Sequence, residues 1–424
     1  MPLNSSEGKK SENFLIHLFR RGQYIFYTAL LEKLVYFLIF LVLARKYSVA
    51  EFGEITSVFV FGYILASLTE LGFANYFQRR TASDVQKSIE EFNSALTFRL
   101  LTYLIVLLIS VDYNYYWEGT VELLLTVIIV TSVFIFNSSW LLIKIFYGLN
   151  EYSSVFKRFL ISRFILIAGS SLLIFTDISL SMFSIIFLVS ALLEFVLLSL
   201  LLKQKKSYSF KPGIKCEILK RIFSSSVPMG LGIFFVVVYD RVDILLIQRI
   251  IGAESVGIYA VAYSLYKIPH IFSGIFLTPL YSDLSAEFEM IKRISYEKVK
   301  KLALFLIFFC LLAIAVIFFS SEMLVELVYG KKYFLSANIL KLLVIALPFL
   351  FLNNLTGVIL NSIKREKTAF YSTMIASLLN VLVNMLLLNL IGLVGAVIST
   401  IITEILVFLI QLNYILKFKA ETIK

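Results

Sequence analysis

The stretch from Val236 to Ala260, VVVYDRVDILLIQRIIGAESVGIYA, places charged residues inside an apolar segment. Asp240, Arg241 and Asp243 interrupt its first half. A charged side chain at the centre of a bilayer costs about 2.5–3.5 kcal/mol on insertion scales, and such residues normally face a cavity or one another. The fold of the chain and the role of these three residues are therefore linked.

The composition of the chain indicates a protein embedded in lipid. Of its 424 residues, 59% are hydrophobic and only 16% are charged, whereas globular domains are about 45–50% apolar and about 25% charged. The polar start MPLNSSEGKKSEN predicts no cleavable signal. Two cysteines and two histidines without ligand spacing predict no metal and no other cofactor.

Apolar stretches of spanning length recur along the whole chain. A spanning helix needs about 20 apolar residues, because the hydrocarbon core is about 30 Å thick. Backbone groups in lipid must be paired internally, so we predict an all-α integral membrane protein with twelve transmembrane helices. The predicted spans lie near 24–44, 55–76, 95–111, 121–146, 158–176, 181–202, 223–248, 258–281, 301–320, 338–361, 367–389 and 393–416.

The basic residues predict the orientation of these spans. With the N-terminus in the cytoplasm, most of the 39 Lys and Arg residues fall in loops on that face, so we expect both termini to be cytoplasmic. The net charge of +11 then reflects attraction of loops to anionic lipid, and no nucleic-acid partner is predicted. The opposite face receives few basic residues: Arg45, Lys46, Arg249, Lys331 and Lys332.

An internal repeat predicts two halves. ARKYSVAEFGEI (44–55) and QRIIGAESVGIY (248–259) place an arginine eight residues before a glycine, after the first helix of each half. We predict six-helix bundles at 1–202 and 223–424, joined by a cytoplasmic linker at 203–222. An even number of spans gives parallel repeats, which predicts a pseudo-two-fold axis along the membrane normal and a cavity between the bundles.

Two further pairs of polar residues occupy matching helices of the repeat. Glu194 and Glu404 lie in the sixth and twelfth spans, and Asn137 and Asn353 lie in the fourth and tenth.

The motifs resemble those of the polysaccharide transporters of the multidrug/oligosaccharidyl-lipid/polysaccharide (MOP) exporter superfamily, which include the O-antigen flippases. ARKYSVAEFGEI is similar to their R-x-x-x-x-x-E-[FY]-G turn. The seventh and eighth spans resemble an S-x-P-x-G start (Ser226 to Gly230) followed by V-G-x-Y (Val256 to Tyr259). The resemblance covers about 14 to 416.

This resemblance implies a bacterial inner-membrane flippase for undecaprenyl-diphosphate-linked oligosaccharide, working beside a polysaccharide polymerase and chain-length machinery. It implies transport rather than enzymatic catalysis. A cation-coupled multidrug antiporter on the same scaffold is the main alternative. A membrane-embedded polysaccharide polymerase or ligase is a weaker one, because such enzymes commonly need a sizeable outer loop, and the outer loops here are short.

Three basic residues inside the spans are candidates for binding an anionic substrate in the cavity: Lys33, Arg241 and Lys267. Lysine binds phosphate as a point charge. Arg241 points about 100° away from Asp240 on an ideal helix, so we expect it to face the cavity or pair with another helix. Lys267 precedes Pro269, which we expect to kink the eighth span. The alternative for all three is a structural ion pair.

Five acidic residues are candidates for a gate or for binding a coupling H⁺ or Na⁺: Asp240, Asp243, Glu70, Glu194 and Glu404. Asp240 and Asp243 are three residues apart and therefore share one helix face. A carboxyl group buried in lipid is neutralised by a proton or a cation. The alternative is a neutral carboxyl group hydrogen-bonded between helices.

Some charged residues are expected to serve topology rather than transport. Arg99, Lys144, Arg158 and Arg163 lie near predicted cytoplasmic helix ends, where we expect them to snorkel to the interface. A funnel that receives the diphosphate is the alternative role. His270 is a candidate proton site, with a plain hydrogen bond as its alternative.

Overall fold

The computed structural model describes residues 5–116, 122–206 and 211–423. Within these ranges the chain forms fifteen α-helices and no β-strand, and short 3₁₀ turns at Lys331–Tyr333 and Val344–Ala346 precede α12 and α13. The all-α prediction is confirmed. The helices are α1 (Ser5–Lys46), α2 (Val49–Glu70), α3 (Phe73–Ser83), α4 (Val85–Tyr116), α5 (Leu123–Gly148), α6 (Tyr152–Phe175), α7 (Leu180–Lys206), α8 (Cys216–Ile250), α9 (Ala253–Tyr266), α10 (His270–Ile291), α11 (Tyr296–Tyr329), α12 (Phe334–Leu343), α13 (Leu347–Ser362), α14 (Glu366–Ile391) and α15 (Leu393–Ile423).

Eleven candidate membrane spans in the described part of the chain are long and apolar enough to cross a bilayer. They overlap eleven of the twelve predicted spans. The second predicted span, 55–76, is interrupted where α2 ends at Glu70 and α3 begins at Phe73. The tenth of the predicted spans is built from α12, α13 and the two 3₁₀ turns, which together run over Lys331–Ser362.

The eighth predicted span, 258–281, is a broken helix. It is divided between α9 and α10 by a turn at Lys267–Pro269. Because proline has no backbone N–H, Pro269 cannot continue the hydrogen-bond ladder of α9. The Ile268 N–H instead donates to the Leu265 carbonyl at 3.2 Å. The predicted kink is therefore a full interruption, and it leaves Lys267 at the end of a short helix.

Packing divides the chain into two compact units. Unit 1 comprises Met1–Lys46 and Phe61–Leu231, and unit 2 comprises Tyr47–Val60 and Gly232–Lys424. Helices α2 and α8 each contribute residues to both units. These units are defined by packing and the predicted halves by sequence order, so the division at 203–222 stays a prediction; its residues 207–210 lie outside the described ranges.

The order of neighbouring helices is the same in the two units. In unit 1, α5 packs against α7, and α7 packs against α6. In unit 2, α13 packs against α15, and α15 packs against α14. Helices α5, α6 and α7 are the fourth, fifth and sixth spans, and α13, α14 and α15 belong to the tenth, eleventh and twelfth. The two sets pack in the same order, which agrees with the internal repeat.

The start of α8 is held within unit 1 by a buried acid of α4. Glu91 lies 3.0 Å from Arg80 of α3 and 3.1 Å from Arg221 of α8. The Tyr76 hydroxyl donates to the same carboxylate at 2.8 Å. The hydrogen bond to Glu91 raises the pKa of the Arg80 guanidinium above its usual value. These bonds join three helices through one carboxylate.

Two repeat-related glycines allow α2 and α9 to touch within unit 2. A Cβ atom on Gly53 would lie 2.9 Å from the Gly257 nitrogen and would overlap the Ala253 carbonyl. A Cβ atom on Gly257 would lie 2.9 Å from Val49 Cγ1 and would overlap the Val49 carbonyl. The glycines that mark the sequence repeat are therefore the residues that permit this close backbone approach.

We expect Gly257→Ala to destabilise the protein, because overpacking costs about 1–3 kcal/mol and exceeds the gain of about 1 kcal/mol from helix propensity. Gly357→Ala on α13 is the matched control, since nothing lies within 4 Å of its added Cβ atom. Thermal unfolding in detergent, followed by size-exclusion chromatography, measures both. Equal midpoints for the two variants would contradict the close contact.

Candidate functional site

A charged cluster joins the second half of α8 to the end of α9. The Asp240 Oδ1 atom lies 2.6 Å from Lys267 Nζ, and Asp240 Oδ2 lies 3.1 Å from Arg241 Nε. The Tyr263 hydroxyl donates to Asp240 Oδ1 at 2.8 Å. We name these four residues the α8–α9 charge cluster. Two cations and one carboxylate leave it with a net positive charge.

The break after α9 positions the ammonium group of this cluster. Lys267 directly follows the last residue of α9, and its Nζ lies 5.1 Å from the Tyr263 ring centre and 5.8 Å from that of Tyr266. Aromatic faces attract cations, so the rings hold the ammonium beside Asp240. The side chains of Lys267, Asp240 and Arg241 stay 26%, 30% and 46% exposed, so a further anion can reach them.

Arg241 makes an ion pair within its own helix. We expected it to face a cavity or to pair with another helix, because its Cβ points away from that of Asp240. The structure shows an ion pair with Asp240, its neighbour in sequence, and the expectation that Arg241 faces a cavity stays a prediction. The arginine side chain is long enough to curl back across about 100° of helix surface. The expectation from helix geometry considered the Cβ direction and not the reach of the side chain.

Asp243 lies one turn beyond Asp240 and has a different environment. It is 4% exposed, and no ion pair to it is found in the described chain. Its carboxylate accepts hydrogen bonds from the Tyr259 hydroxyl at 2.9 Å, the Thr400 hydroxyl at 3.1 Å and Asn384 Nδ2 at 2.7 Å. A buried carboxylate that has only neutral donors lacks a compensating charge, which is costly in an apolar interior.

Polar side chains from three helices surround this carboxylate. Asn380 and Asn384 lie on α14, and Asn384 Nδ2 is 3.1 Å from Asn380 Oδ1. The Asn384 Oδ1 atom is buried without a hydrogen-bond partner. Carboxylate, amide and hydroxyl oxygens are the ligands that hard cations prefer. We name Asp243, Tyr259, Asn380, Asn384 and Thr400 the Asp243 site.

Glu404 is hydrogen-bonded to its partner in the sequence repeat. Asn353 Nδ2 donates to Glu404 Oε2 at 2.6 Å, and the Tyr239 hydroxyl also bonds to this carboxyl group. Lys267 is near enough to interact with it electrostatically. The two residues that the repeat singled out in the second half thus form one contact between α13 and α15.

The corresponding residues of unit 1 each meet an arginine. The Glu194 Oε2 atom lies 3.1 Å from an Nη atom of Arg163, and it accepts a hydrogen bond from Ser162 at 2.8 Å. The Arg163 guanidinium carbon is 4.2 Å from the Phe159 ring centre and 4.5 Å from that of Phe136. Charge pairing and aromatic faces together compensate for the burial of this cation.

Arg99 and Arg163 correct a prediction, since we expected both to snorkel to the interface. Arg99 is fully buried and Arg163 is 2% exposed. Arg99 donates an Nη2 hydrogen bond to Asn137 at 2.8 Å and lies over the Phe134 ring at 5.0 Å. Both arginines lie near the middle of their helices, α4 and α6. Their neighbouring polar residues hold them inside the bundle.

The other predicted site residues are spread over unit 1. Both carboxylate oxygens of Glu70 accept backbone N–H bonds, from Gly72 at 2.8 Å and Ala74 at 2.6 Å, so Glu70 stabilises the start of α3. Lys33 is exposed on α1, beside the partly buried Glu32. Lys144 donates to Gln78 at 3.1 Å. Of the candidate cations, the structure therefore brings together Arg241 and Lys267.

Several residues of the two sites were missed by the sequence analysis. Tyr259 and Tyr263 lie four residues apart on α9, and Asn380 and Asn384 lie four apart on α14. Residues with this spacing share a helix face, so amides repeated in an apolar span were a usable signal. Thr400 gives no comparable signal, because a single threonine in a span commonly bonds its own backbone.

The fold and these sites define a helical membrane protein whose described spans contain paired charges and, at Asp243, a buried acid without an ion pair. A sequence profile of the family described as "Polysaccharide biosynthesis protein" matches residues 42–338. The chain belongs to this family.

Two curated relatives match part of the chain. The first is the uncharacterized membrane protein MJ1375 of Methanocaldococcus jannaschii, 27% identical over 260 residues, which are 58% of this chain and 59% of the relative. The second is the probable multidrug resistance protein YpnP of Bacillus subtilis, 28% identical over 229 residues, which are 50% and 48%. The chain thus spans roughly half the length of each relative.

Solved structures of the MOP superfamily share the fold. An inward-facing multidrug resistance MATE family transporter gives a TM-score of 0.72 at 16% identity and covers 91% of this chain and 95% of its own. The lipid II flippase MurJ gives 0.74 at 16%, with 94% and 87% covered. A MOP superfamily transporter from Pyrococcus furiosus gives 0.63 at 15%, with 95% and 96% covered. The predicted family resemblance is confirmed.

We expect Asp240→Asn and Lys267→Met to be strongly non-additive. Residues in one ion-pair network couple by about 0.5–3 kcal/mol in double-mutant cycles. The exposed pair Glu297 and Lys301 on α11, 2.7 Å apart, is the matched control, and such pairs couple by about 0.3–0.5 kcal/mol. Unfolding in mixed micelles measures both cycles. Additive effects at Asp240 and Lys267 would show that their contact contributes nothing to stability.

Proposed function

We propose that this protein is a flippase that moves undecaprenyl-diphosphate-linked oligosaccharide across the bacterial inner membrane by alternating access. The moved units serve O-antigen, capsule or exopolysaccharide synthesis, and no covalent chemistry is involved. The observation that carries the proposal is the net positive α8–α9 charge cluster, within the spans of a protein of the polysaccharide biosynthesis family. Both termini lie in the cytoplasm, as the distribution of Lys and Arg favours.

The chemistry of the cluster suits a diphosphate. Asp240 already shows that an oxyanion fits between Lys267 and Arg241. A diphosphate offers the same kind of oxygen with more negative charge, so it competes with Asp240 for both cations. Charge-assisted hydrogen bonds to phosphate are roughly twice as strong as neutral ones. Lys33 is a third candidate cation for the same anionic substrate.

The Asp243 site is proposed to bind the coupling cation. Its carboxylate lacks a cationic partner among the described residues, and buried acids in membrane transporters mark ion or proton pathways. H⁺ and Na⁺ are both candidates. The buried Asn384 Oδ1 atom, which has no hydrogen-bond partner, is available as a further oxygen ligand for Na⁺. Glu194 and Glu404 are engaged by Arg163 and Asn353, so we propose structural roles for them.

A cation-coupled multidrug antiporter is the second candidate function. The Asp243 site favours it as much as it favours a flippase, and one relative is named a probable multidrug resistance protein. Such a transporter binds organic cations, which the net positive α8–α9 charge cluster would repel. The charge of the preferred substrate therefore separates the two functions.

We expect Lys267→Ala and Arg241→Ala each to lower the flipping rate by about 10- to 100-fold, since each removes a charged hydrogen bond of about 1.5–3 kcal/mol. Flipping is measured in proteoliposomes as exposure of an undecaprenyl-diphosphate-linked glycan, and in cells as surface polysaccharide at matched protein levels. Lys33→Ala is tested in parallel.

The matched control is Arg249→Ala, which removes an exposed cation from the end of the same helix. It should retain the normal rate. Unchanged output from Lys267→Ala and Arg241→Ala would reject the cluster as the substrate site. Export of an organic cation without glycan flipping would instead establish the antiporter.

We expect Asp243→Asn to abolish acceleration of flipping by an imposed cation gradient while substrate binding persists. The amide keeps the size of the side chain but removes the charge that attracts the cation. Rates are compared under a Na⁺ gradient and under a pH gradient, which also identifies the ion. Asp177→Asn, whose carboxylate is 98% exposed, is the control. A gradient response that survives in Asp243→Asn would exclude this site.

A further inference from the structure

Two tyrosines of α9 connect the Asp243 site to the α8–α9 charge cluster. The Tyr259 hydroxyl donates to Asp243 at 2.9 Å, and the Tyr263 hydroxyl donates to Asp240 at 2.8 Å. The acids are one turn apart on α8 and the tyrosines are one turn apart on α9. Each tyrosine therefore contacts one acid, and the four residues form a ladder with two rungs.

The two rungs are in direct contact with each other. The rings of Tyr259 and Tyr263 stack with centres 5.7 Å apart and planes inclined by 23°. Tyr259 is 1% exposed, so it cannot move without displacing its packed neighbours. Tyr263 shares the Oδ1 atom of Asp240 with Lys267. A displacement of the Tyr259 ring thus moves the stacked ring of Tyr263, and Tyr263 competes with Lys267 for Asp240 Oδ1.

We propose that Tyr259 and Tyr263 are positioning residues that couple cation binding at Asp243 to anion binding at Lys267 and Arg241, with negative sign. This inference rests on the proposed function, which supplies the two ligands. Each ligand weakens the binding of the other, although their sites share no residue.

The sign follows from the hydrogen bonds. A Na⁺ ion at Asp243 repels the hydroxyl hydrogen of Tyr259 and attracts its oxygen, so the bond to Asp243 breaks and the Tyr259 ring shifts with its oxygen toward the ion. The stacked ring of Tyr263 follows, and Asp240 loses a neutral donor. Asp240 then depends more on Lys267 and Arg241, which become less available to phosphate.

The reverse order of binding leads to the same result. When a diphosphate occupies Lys267 and Arg241, Asp240 keeps Tyr263 as its remaining donor. The ladder is then held in the arrangement seen here, with Tyr259 bonded to Asp243, and this arrangement opposes Na⁺ binding. Thermodynamic linkage requires the two effects to be equal. A transporter that exchanges a cation for its substrate requires that the two ligands do not bind at the same time.

Simple electrostatics predicts the opposite sign. A bound Na⁺ and a bound diphosphate attract each other, so without the ladder each would strengthen the binding of the other. The direction of coupling therefore distinguishes the ladder from a through-space effect.

The test measures the Kd of ²²Na⁺ for the protein in nanodiscs, with and without saturating undecaprenyl diphosphate. For the unaltered chain we expect the lipid to raise this Kd about 5- to 100-fold, the usual range of allosteric coupling. Tyr263→Leu removes both the hydroxyl and the stacked ring, so the ratio should fall to one or below. Tyr281→Leu, at an exposed tyrosine of α10, should keep the normal ratio.

Tyr259→Phe provides a second, milder test, because it keeps the ring and removes only the bond to Asp243. Its ratio should also move toward one. A ratio of one in the unaltered chain, or a normal ratio in Tyr263→Leu and Tyr259→Phe, overturns the ladder alone. Absence of Na⁺ binding by the unaltered chain also overturns the ladder alone. Absence of lipid binding overturns the proposed function, and the ladder with it.

Discussion

A charge buried among apolar helices must find compensation inside the bundle, and this requirement organises the interior of both units. Arg163 pairs with Glu194 across two helices, and Lys267 pairs with Asp240 across two others. Arg99 has an amide and an aromatic face instead of an acid. Asp243 has neutral donors and no cation in the described chain. Glu194 and Asp240 each have a cationic partner, and Asp243 has none among the described residues. We therefore treat Asp243 as a candidate binding site.

The positions of these partners depend on two features of the backbone. Gly53 and Gly257 let α2 and α9 approach closely near the start of α9. Pro269 prevents the helix from continuing past Tyr266, so α9 is short and Lys267 directly follows its last residue. Between these points, Tyr259, Tyr263 and Lys267 follow one another at intervals of four residues. They therefore form one face of α9, and this face is directed at Asp240 and Asp243.

The fold class was readable from the sequence because lipid imposes simple conditions on a chain. Apolar length and internal backbone pairing predicted the helices, and eleven of the twelve predicted spans overlap a described segment that is long and apolar enough to cross a bilayer. The repeat was readable because Arg45 to Gly53 and Arg249 to Gly257 keep one spacing. Arg99 and Arg163 were misplaced, because a position in sequence near a loop does not reveal which neighbours a long side chain will find.

From the order of amino acids alone we could read the helical membrane fold, the repeat and the set of residues that carry charge in the spans. These depend on composition and on spacing along one chain, which local physical rules describe. The folded chain was needed to see which charges are paired, that Arg241 turns back to Asp240, and that Asn380, Asn384 and Thr400 surround Asp243. Hydrogen bonds and ion pairs act over a few ångströms, and they join residues that are more than a hundred positions apart, so spacing along the chain does not reveal them.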